Sequence, residues 1–157
     1  MTHSEKFLSR VAKEGIIRPC VRSLCFHQRK ILVEQPSDEP SACFAFPGGG
    51  LELGETLEER LKKEYLEEAN VQVISQEYLF LVENRFSFKD TFIHSLEHYF
   101  LVQLENYDIE SKEPEIILKW LPIDQLPKID LRPEIVRDVI INGAWRKVKH
   151  LVQPFEK

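Results

Sequence analysis

Residues 47–50 read Pro-Gly-Gly-Gly, and a strongly marked helix begins a few residues later. Three successive glycines carry no Cβ, so the backbone there is expected to be irregular, open to positive φ and able to approach another group closely. Before it, the short apolar stretch Cys43–Phe46 is expected to be a strand that ends at Pro47. After it, Thr56 with Glu59 three residues on makes a capping box. Leu57, Leu61, Tyr65 and Ala69 recur at helical spacing and predict a helix over 57–69, with Asn70 as an acceptable left-handed stop.

That helix carries Glu64, Glu67 and Glu68 at i, i+3 and i+4, hence on one face. Like charges so placed repel, each pair costing an isolated helix a few tenths of a kcal/mol, so helix propensity does not account for them. One reading is a solvated acidic face. The other is a site for a hard divalent cation, Mg²⁺ or Mn²⁺, which takes oxygen ligands and shares its remaining positions with water and substrate phosphates. A Gly48 or Gly49 carbonyl has unobstructed access to such an ion. Glu55 and Lys63, eight apart, have the spacing to brace the glycine loop against the helix.

The rest of the chain alternates strands and helices without repeats. A short amphipathic helix is expected over 5–14. Strands at 17–26 and 30–34, separated by the polar turn at 27–30, are expected to form a hairpin. A loop follows at 35–41. Two long strands, 71–83 and 92–105, are expected to pair through a loop at 84–91, and an acidic loop spans 105–115. A strand at 116–121, a turn at 124–129 and a helix at 133–142 with Gly143 as its stop complete the reading, and the tail at 145–157 is left unassigned. Interleaved elements without regular βαβ units predict an α/β fold, an α/β/α sandwich with mixed sheets, in a single domain over 1–157. At 157 residues a full core is feasible without disulfides or metals as staples.

Composition narrows the partners. There are 21 Lys and Arg against 26 Asp and Glu, a net charge of −5, which argues against a stable nucleic-acid partner held by a basic surface. Cys20, Cys25 and Cys43 form no C-x-x-C pair, which disfavours zinc or a disulfide framework and suits a reducing, cytoplasmic setting. No signal-like leader and no membrane-length apolar run is visible. Trp120 is expected to pack against the sheet.

Gly49, then Glu55, then Lys63-Glu64-Tyr65, Glu67-Glu68 and Asn70-Val71 resemble the signature box of the Nudix (MutT-like) hydrolases, G-x5-E-x7-R-E-U-x-E-E-x-G-U with U bulky and aliphatic. Gly49, Glu55, Glu64, Glu67, Glu68 and Val71 match; Lys63 stands for the arginine, Tyr65 for an aliphatic residue and Asn70 for the last glycine. Lys63 keeps the charge without the planar fork, Tyr65 needs room or a hydrogen-bond partner, and none of the three removes a metal ligand. The resemblance implies hydrolysis of the pyrophosphate bond in a nucleoside diphosphate linked to another moiety, such as a nucleoside triphosphate, an oxidised one or an ADP-ribose-like sugar nucleotide. It implies a Mg²⁺ or Mn²⁺ cofactor on Glu64, Glu67 and Glu68 with a Gly48 or Gly49 carbonyl. It implies a catalytic set of Glu67, Glu68 and Glu113; as general base Glu67 and Glu113 are favoured over Glu110 and Glu115.

Substrate contacts are sought in Arg18 and Arg22, four apart on one strand face, for a phosphate, and in Phe46, Phe86 or Phe88 for a base; solvent exposure of the arginines and core packing of the rings are the simpler alternatives. Of Glu97 and His98, one must point inward. A small-molecule nucleotide substrate, no membrane, and a homodimer as one oligomeric option complete the expectations. Two rivals stand beside the enzyme: a non-catalytic nucleotide-sensing module with the same fold, and action on capped or diphosphorylated RNA ends.

Overall fold

The computed structural model describes residues 1–88 and 90–155. Among these residues, ten strands fall into two mixed sheets. In chain order, α1 is His3–Glu14, β1 Arg18–Leu24, β2 Phe26–His27, β3 Lys30–Pro36, β4 Phe44–Ala45, β5 Gly48–Gly50 and α2 Leu57–Ala69. They continue with β6 Val73–Phe88, β7 Thr91–Leu104, β8 Ile116–Pro122, β9 Leu131–Arg132, α3 Glu134–Ile141 and β10 His150–Val152. The first sheet runs β10-β6-β7-β1-β5; the second runs β2-β3-β4-β9, with β8 also paired to β3.

β1 and β3 are buried on both sides, and the two cores show it. β1 sends Val21 and Cys25, just beyond its end, to the α2 side, where Leu61, Tyr65, Phe100 and Val102 pack. It sends Leu24 to the α3 side, with Phe46, Phe80, Tyr99, Val136 and Val139. β3 divides likewise, Leu32 one way and Ile31 with Val33 the other. The sheets lie between α2 and α3, the sandwich expected from the interleaved elements. Among the described residues no helix is long and apolar enough to cross a membrane.

Several expectations are corrected. The strand at 17–26 does not form a hairpin with 30–34. Its main part, β1, runs parallel to β7 and antiparallel to β5, and only Phe26–His27 folds back on Lys30–Ile31. Gln28 and Arg29 make that turn with positive φ (50° and 62°), without the Asn or Gly that would announce it. The glycine run is a paired edge strand rather than unpaired backbone: Gly48, Gly49 and Gly50 face Arg22, Val21 and Cys20, and Gly48 takes the positive φ expected of the run. The loop expected at 84–91 is strand as far as Phe88, which pairs with Thr91, because Asn84, Arg85 and Ser87 continue the ladder despite their polarity; Lys89 lies outside the described residues.

Smaller shifts concern the ends. α1 starts two residues earlier, capped by Thr2. Pro133 is the cap of α3 rather than its first residue. The turn at 124–129 is a 3₁₀ helix over Ile123–Lys128. The tail yields β10, parallel to β6, while Glu156 and Lys157 lie outside the described residues.

Candidate active site

β5, β1 and α2 build the site. Ser23 on β1 donates both its backbone N–H and its hydroxyl to the Pro47 carbonyl, each at 2.9 Å. The same hydroxyl lies 2.7 Å from the buried Tyr65 hydroxyl on α2. Tyr65 thus has the polar partner its place in the box demands, and the glycine strand, β1 and the helix are tied at one point. The Thr56 side chain accepts the Glu59 N–H at 3.1 Å, and Asn70 ends the helix in the left-handed region at φ 49°. Gly48 is required sterically, and the bare α-carbon of Gly49 makes room for Glu64. A Cβ on Gly48, at φ 155°, would strike the Val21 carbonyl, and one on Gly49 would strike the Glu64 carboxylate.

The acids of the box lie around this contact. Lys63 Nζ donates to Glu55 Oε2 at 2.9 Å, and Glu55 Oε1 accepts the Glu52 N–H at 3.1 Å, so loop and helix are joined. That hydrogen bond from Lys63 holds the Glu55 carboxyl below its ordinary range. Glu67 is 59% exposed and Glu64 and Glu68 face inward. Glu34, from β3 in the other sheet, joins them. Its Oε1 is 3.7 Å from Arg22 Nη1, and its buried Oε2 has no hydrogen-bond partner among the described residues.

Burial pushes the Glu34, Glu64 and Glu68 carboxyls above their ordinary values, and their mutual repulsion adds to the rise at Glu34 and Glu68. Such a set favours protons or a cation between its members. A dication fits the donor chemistry: hard carboxylate oxygens, one of them orphaned, beside a glycine whose missing Cβ leaves room for Glu64. Among the described residues, no three acids already enclose a point as an ion's ligands would. Arg60 reaches into the group instead, 3.4 Å from both Glu64 and Glu67.

The other candidates are dispersed. Arg22 is largely buried, donates to the Phe46 carbonyl at 3.2 Å and borders the acids through Glu34. Arg18 lies further along β1, its guanidinium over the Phe7 ring at 4.7 Å and against Gly50. Phe46 is 1% exposed, edge-on to Tyr99 in the core, with no face open to a base. Glu97 is the inward member of its pair, accepting from Tyr99 and Asn84 at 2.8 Å each, while His98 meets Tyr78. Glu113 is exposed on the acidic loop; that loop touches α2 where the Lys112 N–H donates to the Glu68 carbonyl at 2.7 Å. Glu115 pairs with His3 at 2.8 Å.

Sequence reading missed Glu34 and Arg60. Each left a signal. Glu34 is a carboxylate closing the apolar run Ile31-Leu32-Val33, and Arg60 is four before Glu64 and seven before Glu67, on the acid face.

The sequence model of the NUDIX domain matches residues 17–140. The chain belongs to the Nudix hydrolase family. It is 30% identical over 125 residues to a protein of Photorhabdus laumondii named NAD-capped RNA hydrolase NudC, covering 79% of this chain and 46% of that one. The chain spans about half the length of the curated relatives it matches. Two solved structures share the fold. The mutator MutT protein of Bacillus halodurans has a TM-score of 0.67 at 18% identity, covering 86% of each chain. The MutT Nudix hydrolase of Burkholderia pseudomallei has 0.66 at 19%, covering 85% of this chain and 99% of the other.

Proposed function

We propose that this Nudix enzyme hydrolyses the pyrophosphate bond of a small nucleotide in which a nucleoside diphosphate is linked to a second moiety, with Mg²⁺ or Mn²⁺ as cofactor. The observation that carries the reading is the cluster of Glu64, Glu68 and Glu34, with Glu64 against Gly49, Glu34 Oε1 beside Arg22 and Glu34 Oε2 buried without a hydrogen-bond partner among the described residues. Glu64, Glu68 and the Gly49 carbonyl would hold the metal, with Glu67 at its exposed edge. The metal supplies charge neutralisation at the phosphoryl oxygens and a lower pKa for the attacking water. The chain's own groups do the rest. Glu67, open to solvent on the acid face, takes the proton from water as its oxygen bonds to phosphorus and the P–O–P bridge breaks, leaving two phosphate esters. Arg22 and Arg18 on β1 orient the phosphates. Lys63 and Glu55 keep α2 in register with the glycine strand. Glu113, on the loop that touches α2, is the second choice of base.

The name of the relatives makes a dinucleotide pyrophosphate of the NAD type the first substrate class to examine, ahead of nucleoside triphosphates and sugar nucleotides. We place the reaction in a reducing cytoplasmic setting, consistent with free cysteines at 20, 25 and 43. The test is a screen of NAD, ADP-ribose, nucleoside triphosphates and a short NAD-capped RNA with Mg²⁺ and Mn²⁺, reading products by chromatography. Glu68→Gln is expected to lower turnover about 100-fold or more while nucleotide still binds. Binding without turnover of any diphosphate by the parent would overturn the enzyme reading in favour of a nucleotide-sensing module. Turnover confined to the capped RNA would move the substrate class to RNA ends.

A further inference from the structure

Arg60 is nearly enclosed, with its side chain 6% exposed, yet neither the brace nor the metal ligation described above uses it. It lies one helical turn before Glu64 and two before Glu67, so its guanidinium runs along the acid face of α2. Nη1 is 3.5 Å from Glu52 and 3.6 Å from Glu55; Nε is 3.4 Å from Glu64; Nη2 is 3.4 Å from Glu67. A locked guanidinium–carboxylate fork closes to about 2.7–2.9 Å. None of these contacts does: Nη2 donates to both Glu67 oxygens, but only at 3.4 and 3.5 Å, and the buried Nε has no hydrogen-bond partner among the described residues. Lys63, by contrast, closes on Glu55 at 2.9 Å. Arg60 neutralises four acids at once and is locked to none of them.

We propose that Arg60 is a positioning residue that stands in for the dication, holding Glu64 and Glu67 together until metal arrives. Metal uptake is then an exchange. The guanidinium gives up Glu64 and Glu67 and keeps Glu52 and Glu55, which Nη1 already faces. This inference rests on the metal reading of the box glutamates. It accounts for the persistence of a like-charged trio on an ordered helix, and it fixes the sign of a mutational effect. A guanidinium that competes with the ion lowers apparent metal affinity, whereas one that merely shapes the ligand set raises it.

The experiment is Mn²⁺ titration of the intact protein at low ionic strength, following free Mn²⁺ by electron paramagnetic resonance, with melting of the metal-free forms in parallel. Arg60→Gln should bind Mn²⁺ about tenfold more tightly than the parent, since one nearby positive charge has gone. Its metal-free melting temperature should fall by about 2–4 °C or more, and Arg60→Lys should keep an affinity near the parent's. Unchanged or weaker Mn²⁺ binding by a folded Arg60→Gln overturns the proposal while leaving the metal reading intact. A parent that binds neither Mn²⁺ nor Mg²⁺ overturns both. Should Arg60→Gln not fold, the parent decides. Its Arg60 Nε–H resonance, assigned through Arg60→Lys, should move on saturation with diamagnetic Mg²⁺. A resonance indifferent to Mg²⁺ overturns the exchange.

Discussion

At Gly49 the Glu64 carboxylate rests where a Cβ would stand, so any side chain there must displace it. The requirement arises from position. Gly49 faces Val21 on β1, and α2 is pinned to that strand by the Tyr65–Ser23 contact, so neither the backbone nor the helix can retreat. A methyl group at this point must turn Glu64 away from the acids it borders. Gly49→Ala is therefore expected to leave the fold intact and to reduce turnover of whichever diphosphate the enzyme accepts by about 100-fold, the usual penalty for misplacing a reacting group by about an ångström. Circular dichroism should be that of the parent. Near-parental kcat/KM would show that the Glu64 side chain is not needed where it stands.

At the level of elements, α2 is almost wholly legible in the sequence: its bounds, its Thr56 cap and its Asn70 stop all follow from local chemistry. Asn70 adopts φ 49° and ψ 43°, and its N–H reaches the Tyr65 and Leu66 carbonyls. Replacing it with glycine, the family's usual residue, should be neutral or slightly stabilising, whereas Asn70→Val should cost about 1–2 kcal/mol, because a β-branched residue resists the left-handed region. Urea unfolding checks both, and equal stability of the two variants would refute the cap. Elements whose partners are distant in sequence were less legible. The segment 17–26 reads as one arm of a hairpin, since nothing in 17–34 reveals that β7, some seventy residues later, is its neighbour. The glycine run reads as irregular because missing side chains remove the alternation by which a strand is recognised. The site divides in the same way: the box glutamates and the Glu55–Lys63 pair could be read from spacing within one segment. Glu34 could not, since it comes from the other sheet. Phe46 looked available to a base only while Tyr99 was out of view.

Across the whole molecule, the acids couple folding to pH and to metal. Glu34 belongs to one sheet, Arg22 to the other and Glu64 with Glu68 to the helix packed on them, so folding itself brings the carboxyls together. In the metal-free protein burial raises Glu34 to about 7 and Glu68 to about 10, with Glu64 also raised. An unfolded glutamate titrates near about 4.3. Between these values the folded form binds more protons than the unfolded one, so the stability contributed by these groups is present below the unfolded value and is lost as pH rises through the folded ones. Glu55 has the opposite sign: its carboxyl is lowered by Lys63, and its contribution disappears only as pH falls below the ordinary carboxyl range. The metal-free protein should then melt highest near about pH 5 and progressively lower toward about pH 8. Added Mg²⁺ or Mn²⁺ needs the ionised carboxylates, so the rise in melting temperature that it produces should grow over the same interval, with protons released on binding. Calorimetric scans with chelator and with metal across that range test both slopes. A metal-free melting temperature that climbs from pH 5 to pH 8 would mean that the carboxyls are already ionised and satisfied in the fold, and that the acid cluster is not short of a cation.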